Sequence, residues 1–545
     1  MRRALTRPLV AGLVLLGVYG ALAFTLAPSG EVADVGGKLA TLRVMDERGQ
    51  RTPDVGYWAE NLDPDGTLHP LAFTARVGDT WAQVTTLPML YAAIPLWEVG
   101  GARLVVLLPM LGGLACALAA RVLARRLGSR HEWAAFWAIG LATPVLVYSL
   151  SFWEHTIGLA LMLWAVIVLF DVVERRSVRC AGPVAGALFG LAATMRTEAL
   201  VYAATTVGVV VVVLAFARAW RAVVLTAAGF ALGFVVVLGA NQLFERAVLG
   251  AGSRSARVAG IAGGAGNGVH NRLDLAATTA TALNGFSASF DWIVGAVALG
   301  VFCLGVWLLR SPARRLTGAV LVALAALVYL LVAHGGAWWI PGLLSASPLA
   351  ALGLVFTWRR SSTRLLGVLA LAPVPLVWAS QFSGTMRPQW GGRYLFVSGA
   401  LLAIVAIVEL VGSTIAWHVA LAAAVLVTAW GVAFVAYRSH DIADGSEQVL
   451  AVSDAAVVSL DLHFFREHGA AFNPSARWLS AESTVELRKA AKVFAGAGDD
   501  RFTVVAPAGS RLPSTLHGYR RVSGVLIARD IRPYEGIEAV RYTAG

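Results

Sequence analysis

The run Glu31-Val-Ala-Asp34-Val-Gly-Gly-Lys38 sets two carboxylates, a glycine pair and a lysine just beyond an apolar stretch, Leu9 to Ala27. A carboxylate in that position has the chemistry of a general base. It can take the proton of an attacking hydroxyl, a role commonly worth roughly 10²–10⁴-fold in rate. The plainer reading is a solvated acid in a loop. Glu31 has the same chemistry but sits nearer the end of the apolar stretch. If the segment is helical, Asp34 and Lys38 share a face, so Lys38 reads equally as an ion-pair partner or as a cation for a phosphate.

Three later clusters carry comparable chemistry. Glu154 and His155 follow Tyr148-Ser-Leu-Ser-Phe-Trp153 and abut an apolar span, where ionisable groups are costly unless paired or wet. They read as a second acid with a neighbouring imidazole, or as helix-start chemistry, since a glutamate in a first turn complements the helix dipole. Arg196 and Glu198 interrupt a run that is otherwise hydrophobic from Ala181 to Phe216. They form either a mutually neutralised pair in a tight turn or an arginine whose planar fork grips phosphate oxygens. Met386-Arg-Pro-Gln-Trp390-Gly-Gly-Arg393-Tyr394 is compact, aromatic and basic. Trp390 and Tyr394 suit an interfacial belt, and Arg393 lies on the outer side, where the positive-inside tendency gives it no topological reason. The glycine-rich stretch Gly250 to Asn271, with Arg254, Arg257 and His270, lacks Walker-type spacing and reads as a lid or a linker. No metal-ligand spacing appears: Asp63-Pro-Asp65 is a turn signal, and Cys116, Cys180 and Cys303 are scattered in or beside apolar segments.

The elements that must position these residues are membrane helices. The chain is 58% hydrophobic and 14% charged, with mean hydropathy +0.70, against about 25% charged residues in a soluble domain. Apolar runs of span length recur at 8–27, 101–123, 132–150, 155–171, 181–195, 199–216, 222–243, 290–309, 316–333, 340–357, 365–380, 394–411 and 414–436. The net charge of +12 does not point to nucleic acid, because the arginines punctuate the gaps between these runs as cytoplasmic anchors do. With about 13 transmembrane helices, the clusters at 2–7, 121–130, 175–179, 218–221, 310–315 and 359–364 all fall on one side. The opposite side then holds residues 28–100, the turns around Glu154 and Arg196, residues 244–289, His334 to Trp339, Ser380 to Arg393, and the C-terminus. The expectation is a multi-pass cell-membrane protein with a cytoplasmic N-terminus. Residues 1–437 form the membrane domain, with 28–100 as its first outer loop, and 438–545 form a small extracytoplasmic α/β domain. In the latter, 449–452, 502–506 and 525–528 read as strands and 483–494 as a helix. Polar groups gather on the outer side rather than mid-helix, which favours an interfacial enzyme over a transporter.

Glu31-Val-Ala-Asp34, Ser151-Phe-Trp-Glu154-His155, Gly190-Leu-Ala-Ala-Thr-Met-Arg196-Thr-Glu198 and Trp390-Gly-Gly-Arg393-Tyr394-Leu together resemble the GT-C superfamily of polytopic glycosyltransferases. The protein O-mannosyltransferases and aminoarabinose transferases are relatives. The resemblance covers roughly residues 1–437. It implies transfer of a sugar from a polyprenyl-phosphate carrier to a glycan, lipid or protein acceptor, with no cofactor beyond the lipid-linked donor. Asp34 then matches the superfamily's catalytic base. Lys38, Arg196 and Arg393 are candidates to stabilise the departing phosphate, and Glu154 matches by position only. The superfamily's first-loop acids are often adjacent, whereas Glu31 and Asp34 are two residues apart, which leaves both open as the base. The alternative readings are a lipid-linked oligosaccharide flippase and a non-catalytic assembly protein.

Overall fold

Apolar segments bounded by arginine and by helix-breaking residues fold as the hydropathy pattern requires. A computed structural model describes residues 8–174, 180–250, 269–284, 291–335, 340–381, 390–527 and 536–545. Arg2, Arg3, Arg7, Arg175, Arg176, Arg179, Arg254, Arg257, the His270 side chain, residues 336–339 and Met386 to Gln389 lie outside the described residues. Among the described residues, nine helices are long and apolar enough to cross a membrane, and Pro8–Ala23 and Ala181–Met195 are shorter apolar helices. The protein is a multi-pass, largely helical membrane protein with a C-terminal sheet domain.

In chain order the helices are α1 (Pro8–Ala23), α2 (Ala33–Glu47), α3 (Leu87–Val105), α4 (Leu107–Arg126), α5 (Glu132–Leu141), α6 (Pro144–Ser149), α7 (His155–Val173), α8 (Ala181–Met195), α9 (Ala199–Phe216) and α10 (Trp220–Leu249). They continue with α11 (Val269–Thr281), α12 (Asp291–Leu308), α13 (Arg315–Gly335), α14 (Leu343–Ala346), α15 (Pro348–Phe356), α16 (Ser361–Leu371), α17 (Val374–Gln381), α18 (Phe396–Leu410) and α19 (Thr414–Val452). The expected spans at 132–150 and 340–357 are broken at Pro144 and at Pro348. Each of these prolines stands at a helix start, where its missing N–H costs nothing. The segments around Arg196-Thr-Glu198 and around Gly412 end as pairs of separate helices. Helix α18 is buried along its whole length.

The described residues fall into two compact units. One comprises Met1–Ala23, Leu107–Asn241 and Gly264–Phe434, and the other Phe24–Val106, Gln242–Gly263 and Val435–Gly545. Residues 28–100, which the hydropathy pattern groups with the membrane part, therefore cluster with the C-terminal segment. The physical reason is a shared core: Tyr57, Leu68, Leu71 and Trp81 pack in one buried cluster with Val458, Phe465, Trp478, Phe494 and Phe502.

That second unit holds the hairpin β1 (Thr74–Val77) and β2 (Thr80–Gln83), and a six-stranded mixed sheet ordered β4-β3-β5-β8-β7-β6. Strand β3 (Ala456–Ser459) runs parallel to β4 (Arg477–Ser480) and to β5 (Arg501–Pro507). Strands β6 (Thr515–Leu516), β7 (Tyr519–Ile527) and β8 (Ile537–Ala544) complete it in antiparallel register. The short helix α20 (Phe464–Glu467) follows β3, and α21 (Thr484–Gly496) is capped by the Ser483 hydroxyl accepting from the Glu486 N–H. The expected strand at 449–452 is instead the last turn of α19: four β-branched or apolar residues are too short a signal to separate a strand from a helix end.

Candidate active site

In the helical unit, the turns between helices position the expected residues Glu154, His155, Arg196, Glu198, Trp390, Arg393 and Tyr394. Arg196 closes α8 and Glu198 precedes α9, so the break in the apolar run places both side chains in one tight turn. Arg196 Nε donates to Glu198 Oε1 at 2.8 Å, and its Nη1 reaches Glu154 Oε1 at 3.4 Å. All three side chains are at most 7% exposed. One arginine thus serves two buried carboxylates, which gives weight to the neutralised-pair reading of Arg196. Its Nη2 has no hydrogen-bond partner among the described residues, and its guanidinium lies 5.5 Å from the Tyr394 ring centroid.

Tyr394 links this triad to the second arginine. Arg393 Nη2 donates to the Tyr394 hydroxyl at 3.0 Å, and the Arg393 guanidinium lies 4.8 Å from the Tyr394 ring and 5.8 Å from that of Trp153. His155 is buried and stacks on Tyr148, with centroids 4.6 Å apart and planes at 7°. The Tyr148 hydroxyl donates to the Trp390 carbonyl at 2.5 Å. Gly391 and Gly392, at φ +66° and +60°, turn the chain between Trp390 and Arg393 in a conformation that other residues resist. Tyr148 carried no local signal as a member of this group beyond being an aromatic near a break.

The second unit holds the remaining candidates. Asp34 lies in the first turn of α2, a favourable place for a carboxylate beside the helix N-terminus. Its Oδ1 accepts from Arg466 Nη1 at 2.9 Å, with the Asp34 side chain 37% exposed and that of Arg466 4%. Arg466 Nε also donates to Gln83 Oε1 at 3.1 Å, and its guanidinium lies 4.8 Å from the Phe73 ring. Phe73 holds φ +61°, a conformation non-glycine residues seldom adopt, and its ring lies 5.4 Å from that of His463. Burial pushes the His463 imidazole below its usual value against the opposing pull of Asp461; Arg466 lowers it further and Asp34 raises it. Lys38 is on the same helix and buried, as is Glu31 just before it. Arg466, Gln83, Phe73 and His463 lie far from Asp34 in the chain and gave no signal in spacing or composition.

The glycine pair has a packing reason. A Cβ at Gly36 would sit 2.0 Å from the Arg466 carbonyl oxygen, and one at Gly37 would sit 2.8 Å from both Arg466 Nε and Gln83 Oε1. No cluster of three or more His, Cys, Asp or Glu side chains suited to a metal ion occurs among the described residues.

These observations define the class of the chain at the level of its fold: it has the GT-C fold. The similarity is to the aminoarabinose transferase ArnT from Cupriavidus metallidurans. In its undecaprenyl phosphate-bound structure the TM-score is 0.51 at 13% identity, over 97% of each chain. In its apo structure the TM-score is 0.52 at 12% identity, again over 97% of each chain. The archaeal oligosaccharyltransferase AglB from Archaeoglobus fulgidus gives a TM-score of 0.45 at 13% identity, over 91% of this chain and 69% of that one. No family model matches the sequence, and no curated protein matches it.

Proposed function

We propose that the chain is an integral-membrane glycosyltransferase that moves a sugar from a polyprenyl-phosphate carrier to an acceptor hydroxyl. The observation that carries this reading is Asp34: an accessible carboxylate in the first turn of a helix, just past the first apolar helix, in a chain with the ArnT fold. Fold alone does not specify chemistry. The catalytic assignment therefore rests on the acid and on the basic and aromatic residues around Arg393.

In the proposed inverting step the acceptor hydroxyl gives its proton to Asp34. Its oxygen forms a bond to the anomeric carbon as the bond from that carbon to the phosphate oxygen breaks, and the lipid phosphate leaves with the electron pair. Arg393 neutralises charge on the departing phosphate, the electrostatic contribution that commonly dominates such catalysis. Lys38 and Arg196 assist it, although two glutamates already balance Arg196. Trp390, Tyr394 and His155 shape the aromatic surroundings, Glu154 and Glu198 hold Arg196, and Glu31 is the second candidate base. The arginines at 121–130, 310–315 and 359–364 support a cytoplasmic N-terminus and an extracytoplasmic C-terminal domain.

The test is transfer of radiolabel by membranes carrying the chain, supplied with a panel of polyprenyl-phosphate-linked mannose, glucose and arabinose. The expected result is incorporation of label from one donor into an endogenous acceptor. Failure of every donor, with the protein folded and present, would overturn the reading.

A further inference from the structure

We propose that Arg466, supplied by the C-terminal segment, is a positioning residue for Asp34; this rests on Asp34 being the base. The contact is built on both sides. Arg466 is buried, and three different elements hold its guanidinium: Asp34 of α2 at 2.9 Å, Gln83 at the end of β2 at 3.1 Å, and the Phe73 ring at 4.8 Å. Gln83 is itself held, its amide donating to the carbonyls of Leu71 and Ala72 and to the Thr74 hydroxyl.

The backbone is shaped for the same contact. The residues between Asp34 and Lys38 are where α2 receives α20, and side chains at Gly36 or Gly37 would collide with the backbone or guanidinium of Arg466. Gly469 mirrors them, since a Cβ there would lie 1.9 Å from the Gly36 carbonyl oxygen. An incidental surface ion pair needs no such fit and contributes little. Here a planar guanidinium, pinned at two nitrogens, fixes where one carboxylate oxygen of Asp34 points.

The consequence is chemical. A guanidinium against the carboxylate keeps it oriented before the acceptor arrives, and a displacement of about 1 Å at a reacting group can cost about 10²-fold. The titratable and charged groups facing Asp34 include Arg466 and His463 from the C-terminal segment, with Asp461 beside His463; Glu31 and Lys38 flank it on its own segment.

The experiment uses the full chain in membranes, with the donor panel described above, and compares Asp34→Asn, Arg466→Gln, Arg466→Lys and Gln83→Met. Asp34→Asn should abolish transfer. Arg466→Gln should lower kcat by about 10²-fold with the donor KM within about twofold. Its acidic limb of kcat/KM should move to higher pH, because removing a neighbouring cation disfavours the ionised carboxylate. Arg466→Lys should recover about tenfold of the loss, and Gln83→Met should give a smaller kcat loss in the same direction. If Asp34→Asn is inactive while Arg466→Gln keeps the wild-type kcat and pH profile, the positioning role is wrong and the base assignment stands. If Asp34→Asn remains active, the base assignment itself fails. Should Arg466→Gln not fold, an unchanged kcat and pH profile in Gln83→Met would overturn the proposal.

Discussion

Replacing Arg196 by methionine removes a counter-charge shared by two carboxylates that are each only 5% exposed. Breaking a buried ion pair by deleting one partner costs about 3–5 kcal/mol, because the remaining charge is left desolvated. Arg196→Met should therefore destabilise the helical unit by about that amount. The triple variant Glu154→Gln, Arg196→Met, Glu198→Gln removes both stranded charges and should recover all but about 1–2 kcal/mol. The geometry also ranks the two partners. Glu198 receives Nε at 2.8 Å, whereas Glu154 sits 3.4 Å from Nη1. Charge-assisted hydrogen bonds strengthen as they shorten, so a double-mutant cycle should assign Arg196–Glu198 the larger coupling, by about 1 kcal/mol. The assay is equilibrium unfolding in mixed micelles, followed by tryptophan fluorescence. A loss below about 1 kcal/mol for Arg196→Met, or a triple variant no more stable than the single, would show that Arg196 is not what stabilises these carboxylates.

Two further outcomes follow from the second unit. Gly36→Ala must push α20 outward by about 1 Å to relieve the contact with the Arg466 carbonyl; it should cost up to about 3 kcal/mol and reduce transfer, whereas Gly208→Ala, which meets nothing within 4 Å, should be neutral in the same thermal and transfer assays. Burial holds the His69 imidazole down to about 4 and that of His468 down to about 3, with Arg438 adding to the latter. Both are then neutral when folded but take protons when unfolded below about 6.5. Stability should accordingly fall as pH drops from about 6.5 towards those values, by about 1.4 kcal/mol per pH unit for each histidine. Thermal unfolding between pH 7 and 4 measures this slope, and His468→Asn, which keeps a polar partner for Ser446, should remove one proton's share of it.

The membrane helices were legible because their signal is local. Apolar runs bounded by arginine appear as helices within a few residues of the expected limits, as at 155–171, 181–195 and 199–216. Helices α2 and α3 were not legible, since α2 mixes Asp34, Lys38 and Arg43 with small residues and α3 is interrupted by Pro95 and two non-helical glycines. Their stability comes from tertiary packing, which overrides weak propensity. The same division holds at the candidate site. Asp34, Arg196 and Arg393 stand out because each is a charge beside an apolar run. Arg466 stands in a short Phe-Phe-Arg-Glu helix whose partner is set only by folding, through glycines whose role in sequence looked like ordinary loop chemistry. Arg196 shows the reverse limit: its type and spacing suggested either a phosphate ligand or a pair with Glu198, and only the geometry adds Glu154 as a second partner.

The most direct measurement is sugar transfer by Asp34→Asn, an isosteric change that removes the carboxylate's capacity to accept a proton. With wild-type and variant proteins at equal levels and equally folded in membranes, transfer from the polyprenyl-phosphate donor should fall by at least about 10²-fold. Asp34→Asn retaining near-wild-type transfer would contradict the account, and with it the role given to Arg466.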